Sequence, residues 1–236
     1  MNTGEPLADR LARIRARIEA ACAHAGRDPA DITLVAASKF VSTSVVSAAF
    51  DTGVRDFGEN YAKEMRDKRT AAPGARWHYL GSLQSSNAPL IAEIADVVHS
   101  LCPGKAGEHL ATRAAEAGRK IPSLIQVDFT GERSGVSPEE LPAFAAEAQA
   151  RAGLRLSGLM TLPPMPDRPE DSRPWFRRLR ELRDSLLGAY PDMKELSMGM
   201  SLDYEVAVEE GATMVRVGTA LFGERTPALE KPNRPR

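Results

Sequence analysis

The stretch "ITLVAASKFVSTSVVSAAFDTGVRDFG", Ile32 to Gly58, contains the plan of the whole chain in one unit. It begins as a short β-branched apolar run through Ser38, takes on helical period from Thr43 to Asp51, and turns β-like again from Val54. The same alternation continues outward from it. Strand candidates follow as "RWHYLG" from Arg76, "DVVHSL" from Asp96, "PSLIQVDF" from Pro122, "LRLSGLM" from Leu154, "KELSMG" from Lys194 and "TMVRVG" from Thr213, making eight with the first two. Helical stretches lie between or after them at 60–70, 84–94, 103–117, 138–152, 170–188 and 201–210. Eight strands alternating with helices predict an α/β fold, a single (β/α)8 TIM barrel. Periodicity alone does not separate a closed barrel from an open doubly wound sheet. The first βα turn carries no GxGxxG, however, so the dinucleotide-binding version of the open sheet has no support.

An extra helix is expected before the barrel, since Leu7, Leu11, Ile14 and Ile18 fall at helical spacing. Glu5, Asp9 and Glu19 argue against a targeting peptide, and the apolar stripe is expected to pack on the main body. "TLPPMPDRPEDSRP" after Met160 reads as a surface loop. No repeat or linker divides the chain, so the expected organisation is one domain over 1–225 and a tail over 226–236.

Composition narrows the function classes. The 236 residues, 42% hydrophobic and 27% charged, suffice for one sizeable core. Lys and Arg number 31 against 32 Asp and Glu, which gives no electrostatic reason to expect nucleic acid or an anionic membrane as partner. No window approaches the roughly 18 apolar residues of a membrane span. Cys22 and Cys102 form no CxxC, so neither a metal site nor a disulfide framework is expected, and a cytoplasmic location fits best. Small-molecule chemistry is the better expectation.

In such a barrel chemistry gathers where strands end and βα loops begin. Those positions hold Lys39, the "GEN" of Gly58 to Asn60, His78 and Gly81, Ser100, "SMGMS" from Ser197 to Ser201, and Arg216 with Gly218 and Thr219. The loops after the seventh and eighth strands suit a phosphate, with Gly218 admitting close backbone approach, "TALFG" supplying a helical turn and Ser201 a hydroxyl. Capping of ordinary helices explains the same residues equally well. Lys39 is either a rim lysine with its stem laid over the barrel edge or an amine for Schiff-base chemistry with a carbonyl. A lysine and an anion cup at one mouth together describe what pyridoxal 5'-phosphate (PLP) needs.

The segments "LVAASKFVS", "GVRDFGENYAKE", "RWHYLGSLQSSN", "GLMTLPP" and "LSMGMSLDYEVAVEEGATMVRVGTALFGER", in order from Ile32 to Arg225, resemble the pyridoxal phosphate homeostasis protein family. The resemblance implies the barrel of the alanine racemase N-terminal domain, with Lys39 as the Schiff-base lysine for PLP, and phosphate contacts at Ser201, Gly218 and Thr219. It also implies that Arg216 faces the pyridine nitrogen. Asn60 and His78 are weaker cofactor-binding candidates, because "WHY" serves as well for strand packing around a satisfied histidine.

The expected function is a PLP-binding protein of vitamin B6 homeostasis, with no catalytic residue assigned. A guanidinium at the pyridine nitrogen leaves the ring a weak electron sink. Racemases of this barrel carry, as the resemblance implies, a second domain and an opposing tyrosine. Only eleven residues follow Arg225 here, and Lys39 serves one face of a substrate carbon. A minimal racemase or decarboxylase and a cofactor-free Schiff-base aldolase are the alternatives. PLP-requiring apoenzymes are the expected recipients, and a monomer is expected. Two departures from the family pattern stand out: "TGERSGVS" within 129–137 lacks a further lysine that many members have, and "QSSNAP" replaces "QSNK". Lys63 and Lys68 are no obvious substitutes for the missing lysines.

Overall fold

The computed structural model describes residues 5–224, so the expected tail at 226–236 and its boundary at Arg225 lie outside the described residues. Eight parallel strands run in chain order: β1 (Thr33–Ala37), β2 (Asp56–Glu59), β3 (Arg76–Tyr79), β4 (Val97–Leu101), β5 (Ile121–Val127), β6 (Leu154–Thr161), β7 (Glu195–Ser197) and β8 (Met214–Val217). Closure is seen at β1, where Val35 pairs with Asp56 on one side and with Arg216 on the other. The open-sheet alternative is thereby excluded.

Among the described residues eight helices clothe this barrel and a short ninth follows the last strand. They are α1 (Leu7–Ala25), α2 (Thr43–Asp51), α3 (Ala62–Lys68), α4 (Ala88–Ile94), α5 (Lys105–Glu116), α6 (Leu141–Gln149), α7 (Arg173–Leu186), α8 (Tyr204–Glu209) and α9 (Thr219–Phe222). The expected stripe on α1 is buried at Leu11, Ile14 and Ile18, and the helix lies against α2, α8 and α9. Ser42 begins α2 by accepting the Val45 N–H at 3.4 Å.

Most other helices start a few residues later than periodicity suggests, because the polar residues ahead of them bond to loop backbone instead. Asn87 Oδ1 accepts the Gln84 N–H at 2.9 Å, Ser137 Oγ the Glu140 N–H at 3.3 Å, and Asp203 Oδ1 the Met200 N–H at 2.7 Å. Residues 162–168 form the expected irregular loop before a 3-10 turn at Pro169–Ser172. Among the described residues no helix is long and apolar enough to cross a membrane, and no group of side chains is arranged to hold a metal ion.

The apolar core splits in two. One continuous shell fills the space between sheet and helices, with Trp77, Phe57, Phe176 and Leu196 among its buried members. A much smaller cluster of Val97, Leu124 and Met160, with Leu162 against it, lies inside the barrel.

Candidate functional site

At the C-terminal ends of the strands opens a cavity of about 600 Å³, lined by Lys39, Asn60, Arg216, Ser201, Gly218 and Thr219. Six of the seven cofactor-binding candidates named from the sequence therefore line one cavity. Leu80, Met160, Leu162 and Met165 add an apolar side to it, and Arg133, Met200 and Asp203 add polar and loop contacts.

The mount beneath Lys39 is built with unusual care. Ser38, fully buried, donates its hydroxyl to Glu59 Oε1 at 2.6 Å, and its backbone N–H goes to Gly58 O at 2.9 Å. Lys68 of α3 reaches beneath the turn, its Nζ donating to Ser38 O at 2.8 Å, Glu59 Oε1 at 2.7 Å and Glu64 Oε2 at 2.8 Å. Glu64 also accepts the N–H of Phe40 at 3.0 Å, and Phe40 holds a left-handed φ of 62° that a non-glycine residue rarely adopts. Lys68, far from replacing a family lysine at the cavity, is thus part of the support for Lys39. Burial drives the Glu59 carboxyl up to about 7 despite the opposing pull of Lys68.

Across the mouth, Ser201 ties two loops together. Its Oγ accepts the N–H groups of Gly218 and Ala220, each at 3.2 Å, joining the loop after β7 to the start of α9. A hydroxyl that accepts twice still has its own proton to give, so the Ser201 O–H is available to an acceptor in the cavity. Gly199 shapes this loop: φ is 87°, and a Cβ there would lie 2.4 Å from Ala207 Cβ. Asp203 fixes the same loop through the Met200 N–H and a 2.6 Å bond from Ser172 Oγ. Gly81 lets the third loop press on the second, since a Cβ would strike Asn60 O at 2.0 Å.

Arg216 enters from β8, donating from Nη1 to Ser197 Oγ at 2.5 Å and from Nη2 to Thr161 O at 2.9 Å. Burial lowers its guanidinium to about 10, against the pull of Asp203, so it remains charged at neutral pH.

His78 is the residue the structure does not bring to the cavity. It is fully buried inside the barrel, with Nε2 2.9 Å from Asp56 Oδ1 and Nδ1 2.8 Å from His99 Nε2. It points inward on the strand face shared with Arg76 and Leu80, but one layer below the rim, a depth that sequence spacing does not specify. Ser100, also flagged as a strand-end residue, donates to Gly81 O at 2.5 Å and so holds a loop. Sequence reasoning missed Asp203, Arg133 and His99. His99 had a signal, for "DVVHSL" places it in an adjacent strand candidate, but it is the fold that sets Val97 opposite His78 and brings His99, two residues on, against the His78 ring.

Comparisons with known proteins establish the family and the fold. The family profile "Alanine racemase, N-terminal domain" matches residues 10–226. The pyridoxal phosphate homeostasis protein of Aquifex aeolicus is 40% identical over 222 residues, covering 92% of this chain and 97% of the relative. That of Pseudomonas aeruginosa is 41% identical over 223 residues, covering 93% and 96%. Among solved structures, PipY of Synechococcus elongatus PCC7942, described with PLP bound, superposes with a TM-score of 0.82 at 33% identity, covering 92% of this chain and all (100%) of PipY. Alanine racemase of Clostridium difficile 630 shares the fold, with a TM-score of 0.70 at 17% identity over 92% of this chain and 56% of the racemase.

Proposed function

We infer that this chain, which belongs to the pyridoxal phosphate homeostasis protein family, holds PLP in the barrel mouth as a carrier in vitamin B6 homeostasis rather than as an enzyme. The observation that carries this reading is the convergence on one cavity of a lysine amine, a charged guanidinium and a hydroxyl beside a helix start. PLP offers an aldehyde, a ring nitrogen and a phosphate, and those three protein groups answer them in kind.

Lys39 is the tether for the aldehyde, on a turn that Glu64, Glu59 and Lys68 hold fixed. Ser201 supplies a hydroxyl donor for phosphate, with Gly218, Thr219 and Asn60 lining the same cavity. When bound, PLP supplies an electron sink whose strength depends on protonation of its ring nitrogen. Arg216 can only donate, so a ring nitrogen facing it accepts and stays unprotonated. Asp203, the carboxylate among the lining residues, is already engaged by Ser172 and the Met200 N–H. These features favour retention over turnover. The recipients we propose are PLP-requiring apoenzymes, served by a monomer in the cytoplasm.

The test begins with colour. Wild-type protein mixed with PLP is expected to turn yellow, and borohydride followed by peptide mass spectrometry is expected to place the cofactor on Lys39. Lys39→Ala should stay colourless while its circular dichroism is unchanged. Wild-type protein that stays colourless would sink the carrier reading. Deuterium exchange at the α-carbon of amino acids above the free-cofactor rate would replace it with an enzymatic one.

A further inference from the structure

We propose that Asp56, at the closed end of the barrel, is a positioning residue for Arg216 at the open end, acting through Ser197, His99 and His78 as one oriented hydrogen-bond chain. The links measure 2.5 Å from Arg216 Nη1 to Ser197 Oγ, 2.8 Å from Ser197 Oγ to His99 Nδ1, 2.8 Å from His99 Nε2 to His78 Nδ1, and 2.9 Å from His78 Nε2 to Asp56 Oδ1. Ser197, His99 and His78 are fully buried. Arg216 opens on the cavity at the mouth, and Asp56 on a separate cavity of about 430 Å³ at the N-terminal end of the barrel. The chain therefore spans the barrel interior from one face to the other.

Its direction is fixed by its ends once both imidazoles are neutral, and burial holds both below the ordinary histidine range. A guanidinium only donates and a carboxylate only accepts. Ser197 must then accept from Arg216 and give its proton to His99 Nδ1. His99 carries its proton on Nε2 and gives it to His78 Nδ1, and His78 gives its Nε2 proton to Asp56. With both rings neutral, reversing any link would set two protons or two lone pairs against each other. Each imidazole then carries its one proton on Nε2. Arg76 opposes protonation of both rings, Arg216 and His78 oppose it at His99, and Asp56 and Asp96 favour it at His78.

Such a chain passes no proton to the cavity, because an arginine stands at its upper end. What it does is hold the guanidinium in one orientation and tie its charge to a distant carboxylate. Among the described residues Arg216 makes no direct ion pair, and its other bond goes to the neutral Thr161 carbonyl.

The effect on PLP rests on the function proposed above, so the experiment has one arm independent of it. Long-range ¹⁵N–¹H correlation of the histidine rings in the cofactor-free protein, with assignments from His78→Gln and His99→Gln, is expected to show both buried rings neutral and protonated on Nε2. Either ring protonated on Nδ1 overturns the chain, whatever the protein binds. The second arm loads PLP on wild type, Asp56→Asn, His78→Phe and Ser197→Ala. Each variant is expected to release PLP about tenfold faster, the worth of one charge-assisted hydrogen bond, and to shift the visible absorption maximum. The double variant D56N/S197A should release no faster than S197A alone. A purely structural role would lower the urea midpoint and leave the absorption maximum in place. Unchanged release and spectrum in the variants, or additive effects in the double variant, overturn the proposal. Wild type that binds no PLP fails the carrier reading, while the ring tautomers still decide the chain.

Discussion

The two faces of the barrel sheet have opposite characters. Side chains facing outward meet the helices in one continuous apolar shell, where Trp77 stacks on Phe57 with ring centroids 5.3 Å apart. Facing inward, among the described residues, the buried apolar cluster comprises Val97, Leu124 and Met160, and Asp56, His78, His99, Ser197 and Arg216 share the interior with it. Apolar burial stabilises a fold at roughly 25 cal/mol per Å², so the shell carries most of the stability. The inside of the sheet is thereby released to hold charged and polar groups that a core built for stability alone would exclude.

That contrast can be broken by substitution. Truncating the shell at Trp77→Ala should have the largest effect, a loss of about 3–5 kcal/mol in urea unfolding. Truncation inside, at Leu124→Ala, should cost about 2 kcal/mol, at the low end for such changes, because it removes less side-chain volume from a smaller cluster. If the inner truncation costs as much as the outer one, the division of labour is wrong.

The smallest effect depends on pH and concerns the polar mount. Glu59 is raised to about 7 in the fold from 4.5. The folded state therefore keeps a proton that the unfolded chain has released, and stability falls as pH rises through that window, then levels above it. Glu59→Gln removes this dependence. Its stability relative to wild type should improve by about 1–3 kcal/mol between pH 4.5 and 7.5, read from urea midpoints at each pH. A constant difference across that range would show that Glu59 does not titrate there.

Much of this was legible in the chain, for reasons that particular residues make plain. Each strand announces itself by a short apolar run, and the residue after the run is at the mouth by the rule of the fold, so Lys39, Asn60 and Ser201 were found without coordinates. Depth inside the barrel is another matter. His78 and Leu80 share a strand face, yet only Leu80 reaches the cavity, because strand tilt and register set the layer. Asp203 was invisible as a loop anchor because its partners, the Met200 N–H and Ser172, are brought to it by folding. Nothing in the helical stretch at 60–70 marks Lys68 as buried, and it is 5% exposed because folding brings Glu59 and Glu64 to its amine beneath the turn.

The enclosure of Lys68 has a consequence for chemical selectivity. An aldehyde reacts with any accessible amine, and a carrier exposed to one would acquire adducts wherever lysines were open. Here two lysines serve the same turn, one lining the cavity and the other wrapped by two carboxylates and a backbone carbonyl. Occlusion withholds the second amine from modification, while Lys39 is the lysine of this turn that lines the cavity.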